Sequence, residues 1–471
     1  MQVSTVPFSK IQKASNLFRF DAEYFQPKYL ETENLIKKSK YYELRDLISV
    51  LTDYHANGSY EVLRGNVRLK SEEDYAHMIR TVDIERDDFE NDIIYISESA
   101  YNFLTKTKVY GGEIIINKIG NAGRVYLIPP VSRPTSLGMN QFMIRANSGI
   151  DNHYLFCYLS GKYGQNQLNQ RITGAVPLSI DKESTKSVFV PIFSKTFQKL
   201  VSKTIELHFE YSEVAKNLYK QAKFILLSEL GLSNWQSKHQ LTFVKNHSDT
   251  KSAERIDAEY FQPKYGDIIK AIQGYSGGWE RLENLATLND ENFNPQDEKE
   301  YKYIELANIA GNGEITDCMV EEGQNLPTRA RRKVATGDVI VSSIEGSLSS
   351  IALIKEEYNQ ALCSTGFHVI NSNVLNSETL LVLLKSLVGQ LQLKKGCSGT
   401  ILTAINRNEF GKVILPLVPQ DKQTEIQQKV TESFELRKRS KHLLECAKQA
   451  VEIAIEQDEQ MAINWLEAAT Q

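Results

Sequence analysis

One eleven-residue motif occurs twice in this chain and constrains its fold more than any other feature. "RFDAEYFQPKY" begins at position 19 and "RIDAEYFQPKY" at position 255, and they differ only at Phe20 and Ile256. Three more pairs of similar segments follow in the same order, each 225 residues apart. These are "GGEIIINKIG" with "TGDVIVSSIEG", "TGAVPLSID" with "SGTILTAIN", and "FVPIFSKTFQKLV" with "ILPLVPQDKQTEI". The sequence therefore predicts two copies of one unit, the first with about eleven extra residues before position 111.

Within each copy the residue pattern predicts short strands followed by helices. Valine- and isoleucine-rich runs bounded by glycines predict strands at 113–119 and 338–344. Apolar residues at helical spacing predict helical segments at 154–170 and 378–395. The repeated "DAEYFQPKY" is expected to be a structural segment whose aromatic side chains pack on the helices. The fold class is therefore α+β.

Each copy ends in a long amphipathic helical pattern. The first helix is predicted at about 196–230 with Gly231 as its C-terminal cap, and the second at about 421–468. A helix this long needs a partner for its apolar stripe, and its own repeat is the obvious one. The predicted seam residues are Phe197, Leu200, Thr204, Leu207, Tyr211, Val214, Leu218 and Ile225 in the first helix, and Ile426, Val430, Phe434, Leu444, Ala447, Val451 and Ile455 in the second.

These patterns define five segments. Residues 1–190 and 255–415 are predicted to be two homologous domains. Residues 191–232 and 416–471 contain the long helices, and the polar, aperiodic stretch 233–254 is predicted to be a linker.

Composition excludes several classes of protein. No apolar run approaches the ~20 residues that span a bilayer, and the first twenty residues lack a signal-peptide layout. A cytoplasmic protein without a membrane partner is therefore expected. The five scattered cysteines argue against a disulfide framework or a zinc ribbon. A net charge of −4 argues against a protein that binds nucleic acid unaided, because phosphate neutralisation usually requires a basic surface.

Signatures of common active sites are missing from the sequence. It contains no phosphate-binding G-x-x-x-x-G-K-[ST], no zinc-binding H-E-x-x-H and no G-x-S-x-G elbow. The eight histidines are not paired at metal-ligand spacing. We therefore predict a chain with no catalytic residue, no metal site and no cofactor of its own.

Polar and basic loops beside the predicted strands are the candidate binding surfaces. Arg and Lys suit phosphates and guanine edges, whereas Asn and Gln suit adenine edges. Taken singly, each loop is better interpreted as a solvated turn, and even "TRARRK" at 328–333 is short enough to be plain surface. The candidate DNA-binding residues are Arg64, Arg68, Lys70, Lys118, Asn121, Arg124, Arg133 and Gln141 in the first copy, and Arg329, Arg331, Arg332, Lys333, Ser343, Ser347, Lys394 and Lys395 in the second.

Together these features resemble the specificity subunit of bacterial and archaeal type I restriction-modification systems. The resemblance rests on "RFDAEYFQPKY", "GDVIVSSIEGSLSSIALI", "SGTILTAINRNEF" and "LPLVPQDKQTEIQ", which as an ordered set extend over nearly the whole chain. It implies two target-recognition domains in a pseudo-twofold arrangement, separated by two long antiparallel helices that form a coiled-coil spacer. One departure is that the Glu-Gln pair usual at the start of each helix is reduced to Gln198 in the first.

The resemblance also implies a function. Each recognition domain would bind one half of an asymmetric, bipartite target in double-stranded DNA. The expected protein partners are two methyltransferase subunits and restriction/translocase subunits, which would carry S-adenosylmethionine, ATP and Mg. Shared phosphate contacts with the methyltransferases would explain the acidic net charge. Two alternatives stay open: a DNA-binding or scaffold subunit of another bacterial defence system, and a cryptic DNA-modifying enzyme.

Overall fold

The computed structural model of this chain describes residues 4–14, 21–85, 89, 92–236, 239–316, 318–399 and 402–470. Arg19 and Phe20 of the first repeated motif, and Thr400 and Ile401 of the second copy, lie outside the described residues. The chain divides into two compact units. Unit 1 comprises Met1–Ser212 and Lys438–Gln471, and unit 2 is Glu213–Arg437.

Unit 1 contains nine helices before its first long helix, and ten strands, among the described residues. The helices are α1 Phe8–Ala14, α2 Pro27–Ile36, α3 Leu44–Leu47, α4 Tyr60–Asn66, α5 Thr81–Glu85, α6 Glu98–Phe103, α7 Asn152–Ser160, α8 Lys162–Arg171 and α9 Lys182–Lys186. The strands are β1 Tyr41–Glu43, β2 Ile48–Asp53, β3 Ala76–Ile79, β4 Tyr95–Ile96, β5 Lys108–Val109, β6 Ile114–Asn117, β7 Val125–Leu127, β8 Thr135–Leu137, β9 Gln141–Ala146 and β10 Phe189–Pro191.

The long helix α10, Lys195–Glu229, begins in unit 1 and ends in unit 2. The helices that follow are α11 His247–Ala253, α12 Pro263–Gln273, α13 Leu282–Leu285, α14 Ser377–Lys385, α15 Leu387–Gly396, α16 Arg407–Gly411, α17 Gln420–Glu456 and α18 Glu459–Ala469. The strands of unit 2 are β11 Trp279–Arg281, β12 Ala286–Leu288, β13 Glu300–Ile304, β14 Met319–Glu322, β15 Ala330–Lys333, β16 Val339–Ser342, β17 Ile351–Leu353, β18 Leu362–Ser364, β19 Phe367–Ser372, β20 Cys397–Ser398, β21 Ala404–Ile405 and β22 Ile414–Pro416.

The two units have the same sheet topology, which confirms the predicted repeat. Unit 1 has one four-stranded sheet in the order β2-β9-β6-β7, a second in the order β4-β3-β8-β5, and a β1-β10 pair. Unit 2 has the corresponding sheets β12-β19-β16-β17 and β14-β13-β18-β15, and a β11-β22 pair. Even the parallel pairing recurs, between β3 and β8 and between β13 and β18.

The extra residues of the first copy lie between β2 and β3. The segment 54–75 joins these strands in unit 1, whereas 289–299 joins β12 to β13 in unit 2 and is about eleven residues shorter. The longer segment contains α4, which unit 2 lacks at this place. Leu63 of α4 and the following Val67 are buried in a small apolar cluster, so the insertion is packed.

Buried glutamine side chains bind equivalent backbone groups in the two units. The Gln167 amide donates to the Phe189 carbonyl over 2.6 Å and accepts from the Phe189 N–H over 2.9 Å. The Gln392 amide makes the same pair of bonds with Ile414, over 2.8 Å and 2.9 Å. Each amide thus fixes the helix before the turn (α8 or α15) to the closing strand (β10 or β22).

A second glutamine in each unit fixes the start of the long helix, and this gives Gln198 a structural role although no glutamate precedes it. The Gln198 Oε1 accepts from the backbone N–H of Asp151, the N-cap residue of α7, over 2.8 Å. Gln423 accepts from the N–H of Asn376, the N-cap residue of α14, over the same distance. Both glutamines are buried. The start of each long helix is therefore fixed to the start of the helix that lies on the sheet.

The repeated "DAEYFQPKY" packs more closely in its first copy than in its second. Tyr24 and Phe25 are buried, whereas Tyr260 and Phe261 are half-buried. The Gln170 side chain on α8 donates to the Tyr24 carbonyl over 2.9 Å. Pro27 and Pro263 open α2 and α12, where the N–H that proline lacks would have no partner within the helix.

The first long helix ends as the sequence predicted. Helix α10 starts and ends within one residue of the predicted bounds. Gly231 adopts a left-handed φ of 67°, its N–H bonds to the Ser228 carbonyl, and the Leu232 N–H bonds to the Leu227 carbonyl. These two bonds complete a glycine C-cap of the Schellman type.

Inside unit 1, the long helices run antiparallel. The Ser440 hydroxyl of α17 donates to the His208 carbonyl of α10 over 2.9 Å. Phe197, near the start of α10, shares a core with Ile455, near the end of α17.

Inside unit 2 the same direction holds. The Ser433 hydroxyl donates to the Ala215 carbonyl over 2.7 Å. Leu226, later in α10, shares a core with Ile426, earlier in α17. The predicted antiparallel pairing is therefore present within each unit.

Several sequence predictions about the helices are wrong in detail. The helix predicted at 421–468 is broken after Glu456, because the Asp458 side chain accepts from the Met461 N–H and caps α18. Val214 of the predicted seam is 42% exposed. Selecting residues at heptad steps also missed several buried positions of α10. The buried residues of α10 that the prediction omitted include Val201, Ile205, Ala215, Ala222 and Leu226.

Three predicted segments are more structured or more divided than expected. The stretch 233–254, predicted as an aperiodic linker, contains the exposed helix α11. The segments predicted as single helices are each two helices, α7 with α8 and α14 with α15, which break at Gly161 and Ser386. Among the described residues, no helix combines the length and the apolar content that crossing a membrane requires.

Candidate nucleic-acid interface

The loop that follows β6 presents the first group of candidate residues. Lys118 is fixed by an ion pair in which its Nζ lies 3.2 Å from Oδ2 of Asp53, the last residue of β2. The Nζ of Lys182 lies 2.8 Å from the other oxygen, Oδ1. Burial raises the pKa of Asp53, but hydrogen bonds from the two lysines outweigh this and hold that pKa below its ordinary value. Two cations therefore share one ionised carboxylate, which leaves a net positive charge.

The same loop carries Asn121 and Arg124. It turns at Gly120 and Gly123, whose φ angles of 84° and 81° favour glycine. Asn121 is exposed, and its amide donates to a Glu85 oxygen over 2.9 Å. Arg124 is exposed as well. The structure thus brings Lys118, Asn121 and Arg124 together at one end of the β2-β9-β6-β7 sheet.

Gln141 does not belong to this surface. It is fully buried at the start of β9, opposite Asn117 of β6. Neither polar atom of its amide has a hydrogen-bond partner among the described residues. A fully buried amide cannot reach a base, so the prediction that Gln141 contacts DNA is wrong for this structure.

The remaining candidates of unit 1 belong to the other four-stranded sheet and to the inserted segment. Arg64 and Arg68 are exposed in and after α4. Lys70 pairs with Tyr95 through backbone hydrogen bonds. The guanidinium of Arg133 lies 5.6 Å from the Tyr95 ring centroid. Lys70 and Arg133 therefore both lie beside Tyr95 of β4. Arg64 lies in α4 and Arg68 just after it, and unit 2 lacks this helix at the corresponding place.

In unit 2, the "TRARRK" run contains strand β15 rather than a loop. The register of β15 on β18 shifts between Ala330 and Arg332. Arg331 donates to the Asn294 side chain over 3.1 Å, and Arg332 to the Asn292 side chain over 3.2 Å. Both arginines are half-buried and have partners in the segment before β13.

The ends of this run differ in exposure. Arg329 has a 64% exposed side chain and lies 3.5 Å from a Glu305 carboxylate oxygen. The Nζ of Lys333 lies 5.1 Å from the centroid of the Phe293 ring and is half-buried. Arg329 is thus the residue of the run that is most available to a partner.

The two candidate serines of unit 2 form hydrogen bonds within the unit. The Ser343 hydroxyl donates to the Gly366 carbonyl over 2.9 Å. The Ser347 hydroxyl lies 2.9 Å from that of Ser342. Both are half-buried after β16, in the place that Lys118 and its neighbours occupy in unit 1.

The candidate lysines of unit 2 lie in the last turn of α15. Lys394 forms an ion pair with Glu345. The Nζ of Lys395 lies 4.8 Å from the centroid of the Tyr260 ring, and burial lowers the pKa of Lys395. Both side chains therefore have partners within the unit.

Unit 2 also has an acidic residue beside basic side chains, Asp290, which the sequence analysis did not identify. Oδ2 of Asp290 lies 3.7 Å from the Arg407 guanidinium and 3.7 Å from the His368 ring. Burial raises the pKa of Asp290, but His368 and the charges of Arg332 and Arg407 hold it below its ordinary value. Asp53 is the last residue of β2 and lies beside the start of β9. Asp290 comes just after β12 and lies beside the start of β19.

A sequence signal for this shared cluster did exist. Lys182 and Arg407 are 225 residues apart, and each comes two residues after the isoleucine that the repeated turn segments share. A basic residue at the same position of both copies indicates a structural feature that the two units share. The acids were missed because they come from a strand distant in sequence.

Neither metal-binding nor disulfide chemistry is visible in the part of the chain described. Within it, no group of three His, Cys, Asp or Glu side chains could hold a metal ion. The five cysteines are free thiols, four of them buried. Burial raises the pKa of the Cys157 and Cys363 thiols, so both stay protonated.

Comparison with known proteins gives distant structural similarity alone. No protein-family profile matches this sequence, and no curated protein matches it. Three solved structures are similar over about nine-tenths of the chain. The type I restriction-modification S subunit from M. genitalium is 12% identical and covers 91% of this chain and 95% of its own, with a TM-score of 0.37.

Two other solved structures are similar over about the same share of this chain. A structure titled for complex assembly and conformational transition of the type I R-M system is 14% identical over 92% of this chain and 97% of its own, with a TM-score of 0.28. The HsdS subunit from Thermoanaerobacter tengcongensis is 14% identical over 92% of this chain and 96% of its own, with a TM-score of 0.26. At these identities and TM-scores, the similarity does not establish function.

Proposed function

We propose that this chain is the DNA sequence-recognition subunit of a type I restriction-modification complex. Each unit would bind one half of an asymmetric, bipartite target and so direct the partner subunits to it. The observation that carries the proposal is the duplication itself. One scaffold occurs twice, held by equivalent glutamine bonds and equivalent strand pairings, while the side chains on its loops differ between the copies.

The difference between the loops favours two different half-sites. After β6, unit 1 offers Lys118, Asn121 and Arg124, whereas after β16 unit 2 offers Ser343 and Ser347 around Glu345. Sequence is read by side-chain donors and acceptors at base edges, so different side chains on one scaffold read different bases. Two identical readers would instead require a symmetric target. The target is therefore asymmetric.

The charges favour shared DNA contacts. The whole chain carries a net charge of −4, and its cationic candidates are distributed in small groups, several of them paired with carboxylates. Binding to DNA phosphates is stronger when more cations contribute. Two methyltransferase subunits would supply the remaining phosphate contacts and hold S-adenosylmethionine. Restriction/translocase subunits would use ATP and Mg.

Methylation mapping tests this function directly. The chain is expressed in a methylation-free host in three ways: alone, with a type I methyltransferase subunit from the same genome, and as a chain deleted for 255–415 with that methyltransferase. We expect a two-part methylated motif only when the full chain and the methyltransferase are present together.

The other outcomes identify the alternatives. Methylation by the chain alone would make it a DNA-modifying enzyme. Methylation or DNA binding without sequence preference, in every combination, would leave a scaffold of another defence system. Either result would overturn the proposal.

A further inference from the structure

A small hairpin, Thr173–Ser179, projects from unit 1 on a well-fixed base. The Thr173 N–H bonds to the Ser179 carbonyl over 2.8 Å, and the Ser179 N–H to the Thr173 carbonyl over 2.9 Å. The Gly120 N–H, in the loop after β6, donates to the Leu178 carbonyl over 3.2 Å. Gly174 has a φ of 100°, and a Cβ there would lie 2.9 Å from the Pro177 carbonyl oxygen. The hairpin is therefore closed at its base and fixed to the candidate interface.

The tip of this hairpin is apolar and exposed. The relative exposure of Val176 is 95% and that of Leu178 is 46%. Aliphatic side chains in water contribute nothing to the core, and exposing them is unfavourable. A single exposed aliphatic residue needs no explanation, but two on one hairpin beside the candidate DNA contacts form a surface suited to a partner.

Two lysines lie at the base of the hairpin. The Ile180 N–H, just after the hairpin, donates to the Lys118 carbonyl over 3.0 Å. Lys118 and Lys182 flank Asp53, and about a third of each lysine side chain is exposed. Asp181 and Glu183 flank Lys182 in sequence, but Lys118 and Lys182 are the charged side chains that meet at Asp53 beside the hairpin. Lysine ammonium groups bind phosphate oxygens, which favours DNA as the occupant.

Unit 2 has the same arrangement in a different sequence. Strands β20 and β21 close the corresponding hairpin, and the Glu345 N–H, in the loop after β16, donates to the Thr403 carbonyl over 3.0 Å. Leu402 is 70% exposed. Arg407 occupies the register position of Lys182 and lies beside Asp290. An exposed aliphatic residue and an acid-held cation thus occur together in both units.

We infer that the Thr173–Ser179 hairpin enters the minor groove of double-stranded DNA. Val176 and Leu178 contact the base edges and sugars at one step, and Lys182 contacts the adjacent phosphate. Proteins that bind the minor groove combine apolar wedges with lysine or arginine in this way. This inference rests on the proposed function and assigns a surface, centred on the tip and Lys182, that the candidate residues above did not include.

Photo-crosslinking identifies the occupant. Val176→p-benzoylphenylalanine is prepared in the full chain with its methyltransferase, and a duplex carrying the mapped target is added. Val374→p-benzoylphenylalanine is the control, because Val374 is 50% exposed and follows the far end of β19 in unit 2. Arg124→p-benzoylphenylalanine reports DNA at the neighbouring loop.

We expect DNA crosslinks from position 176 and from position 124, and none from position 374. Crosslinks from 176 to the methyltransferase instead of DNA, or from 124 alone, would overturn the inference and leave the proposed function standing. Failure of the unsubstituted complex to bind the target duplex would refute the proposed function itself.

Binding measurements separate the roles of tip and base. The double variant Val176→Ser with Leu178→Ser should weaken target binding about tenfold without changing the slope of log affinity against log salt. Lys182→Gln should weaken binding to all duplexes and lower that slope by about one. Val374→Ser should change neither. Wild-type affinity for the tip variant, with its circular dichroism unchanged, would show that the tip does not contact DNA.

Discussion

A glycine at the corner between α7 and α8 allows a sharp test of the duplicated scaffold. In Gly164→Ala the new Cβ would lie 2.2 Å from the Tyr158 carbonyl oxygen and 2.5 Å from the Leu159 Cα. Carbon atoms pack best at about 3.5–4.0 Å. Both neighbours are backbone atoms of α7, whose residues in this turn are buried, so α7 must shift against its core. Such overpacking costs about 1–3 kcal/mol, more when the backbone moves, against about 1 kcal/mol of better helix propensity.

We therefore expect Gly164→Ala to lower the free energy of unfolding by about 2 kcal/mol. The same change at Gly389, 225 residues later, should act alike in unit 2, because its Cβ would lie 2.4 Å from the Leu384 Cα. Gly65 and Gly266 are helical glycines with nothing within 4 Å of such a Cβ. Alanine at either of them should stabilise the protein by about 0.5–1 kcal/mol.

Urea denaturation followed by circular dichroism measures all four variants. A fall of ~2 kcal/mol corresponds to roughly 4–8 °C in melting temperature for a unit of this size. If Gly164→Ala were as stable as Gly65→Ala, the close approach of α7 and α8 would be wrong, and with it the account of why both copies have glycine there.

Three further predictions follow from the same structure. Gln198→Ala removes the acceptor for the Asp151 N–H and the donor to the Phe193 carbonyl, so it should destabilise unit 1 by about 1–3 kcal/mol in urea denaturation, whereas Gln198→Glu, which buries a carboxylate against that carbonyl, should cost at least as much. The pKa of Asp53 is lowered in the folded chain from 3.8, so its carboxylate stabilises the fold above that pH and the contribution is lost as the pH falls through the folded pKa; Asp53→Asn should therefore flatten the acid limb of the stability–pH curve, and an unchanged curve would contradict this. If α10 and α17 set the gap between half-sites, matched four-residue insertions after Ser212 and after Arg437 add ~6 Å to each helix and should lengthen the gap in the methylated motif by one or two base pairs at 3.4 Å each; an unchanged gap with activity retained would refute it.

Features encoded by neighbouring residues were predictable from the sequence. The strands around Ile114 and Val339 lie in apolar runs bounded by glycines, and α10 ends where Gly231 provides a left-handed residue. The repeat itself was readable because each copy must form the same contacts, such as the paired glutamine bonds, and so keeps the same residues at the same spacing.

Features that depend on distant residues were not predictable. Gln141 was predicted to lie in a polar loop, "SRPTSLGMNQ", but it begins β9, opposite Asn117 of β6, and its side chain is fully buried. Asp53 was overlooked because its lysine partners are 65 and 129 residues away in sequence. The break at Asp458 was missed because an apolar pattern continues on both sides of it.

The way the chain is divided between the units has a consequence for the order of folding. Unit 2 is one uninterrupted stretch, whereas unit 1 needs Lys438–Gln471 to return to the segment that was made first. Ala447, Val451 and Ile455 belong to the core of unit 1. On the ribosome, unit 2 therefore has all its residues before unit 1 does, which reverses the usual N-terminal-first order. A nascent chain stalled just after Arg437 has emerged should contain a protease-resistant second half, while the first half, although synthesised earlier, is still open to cleavage.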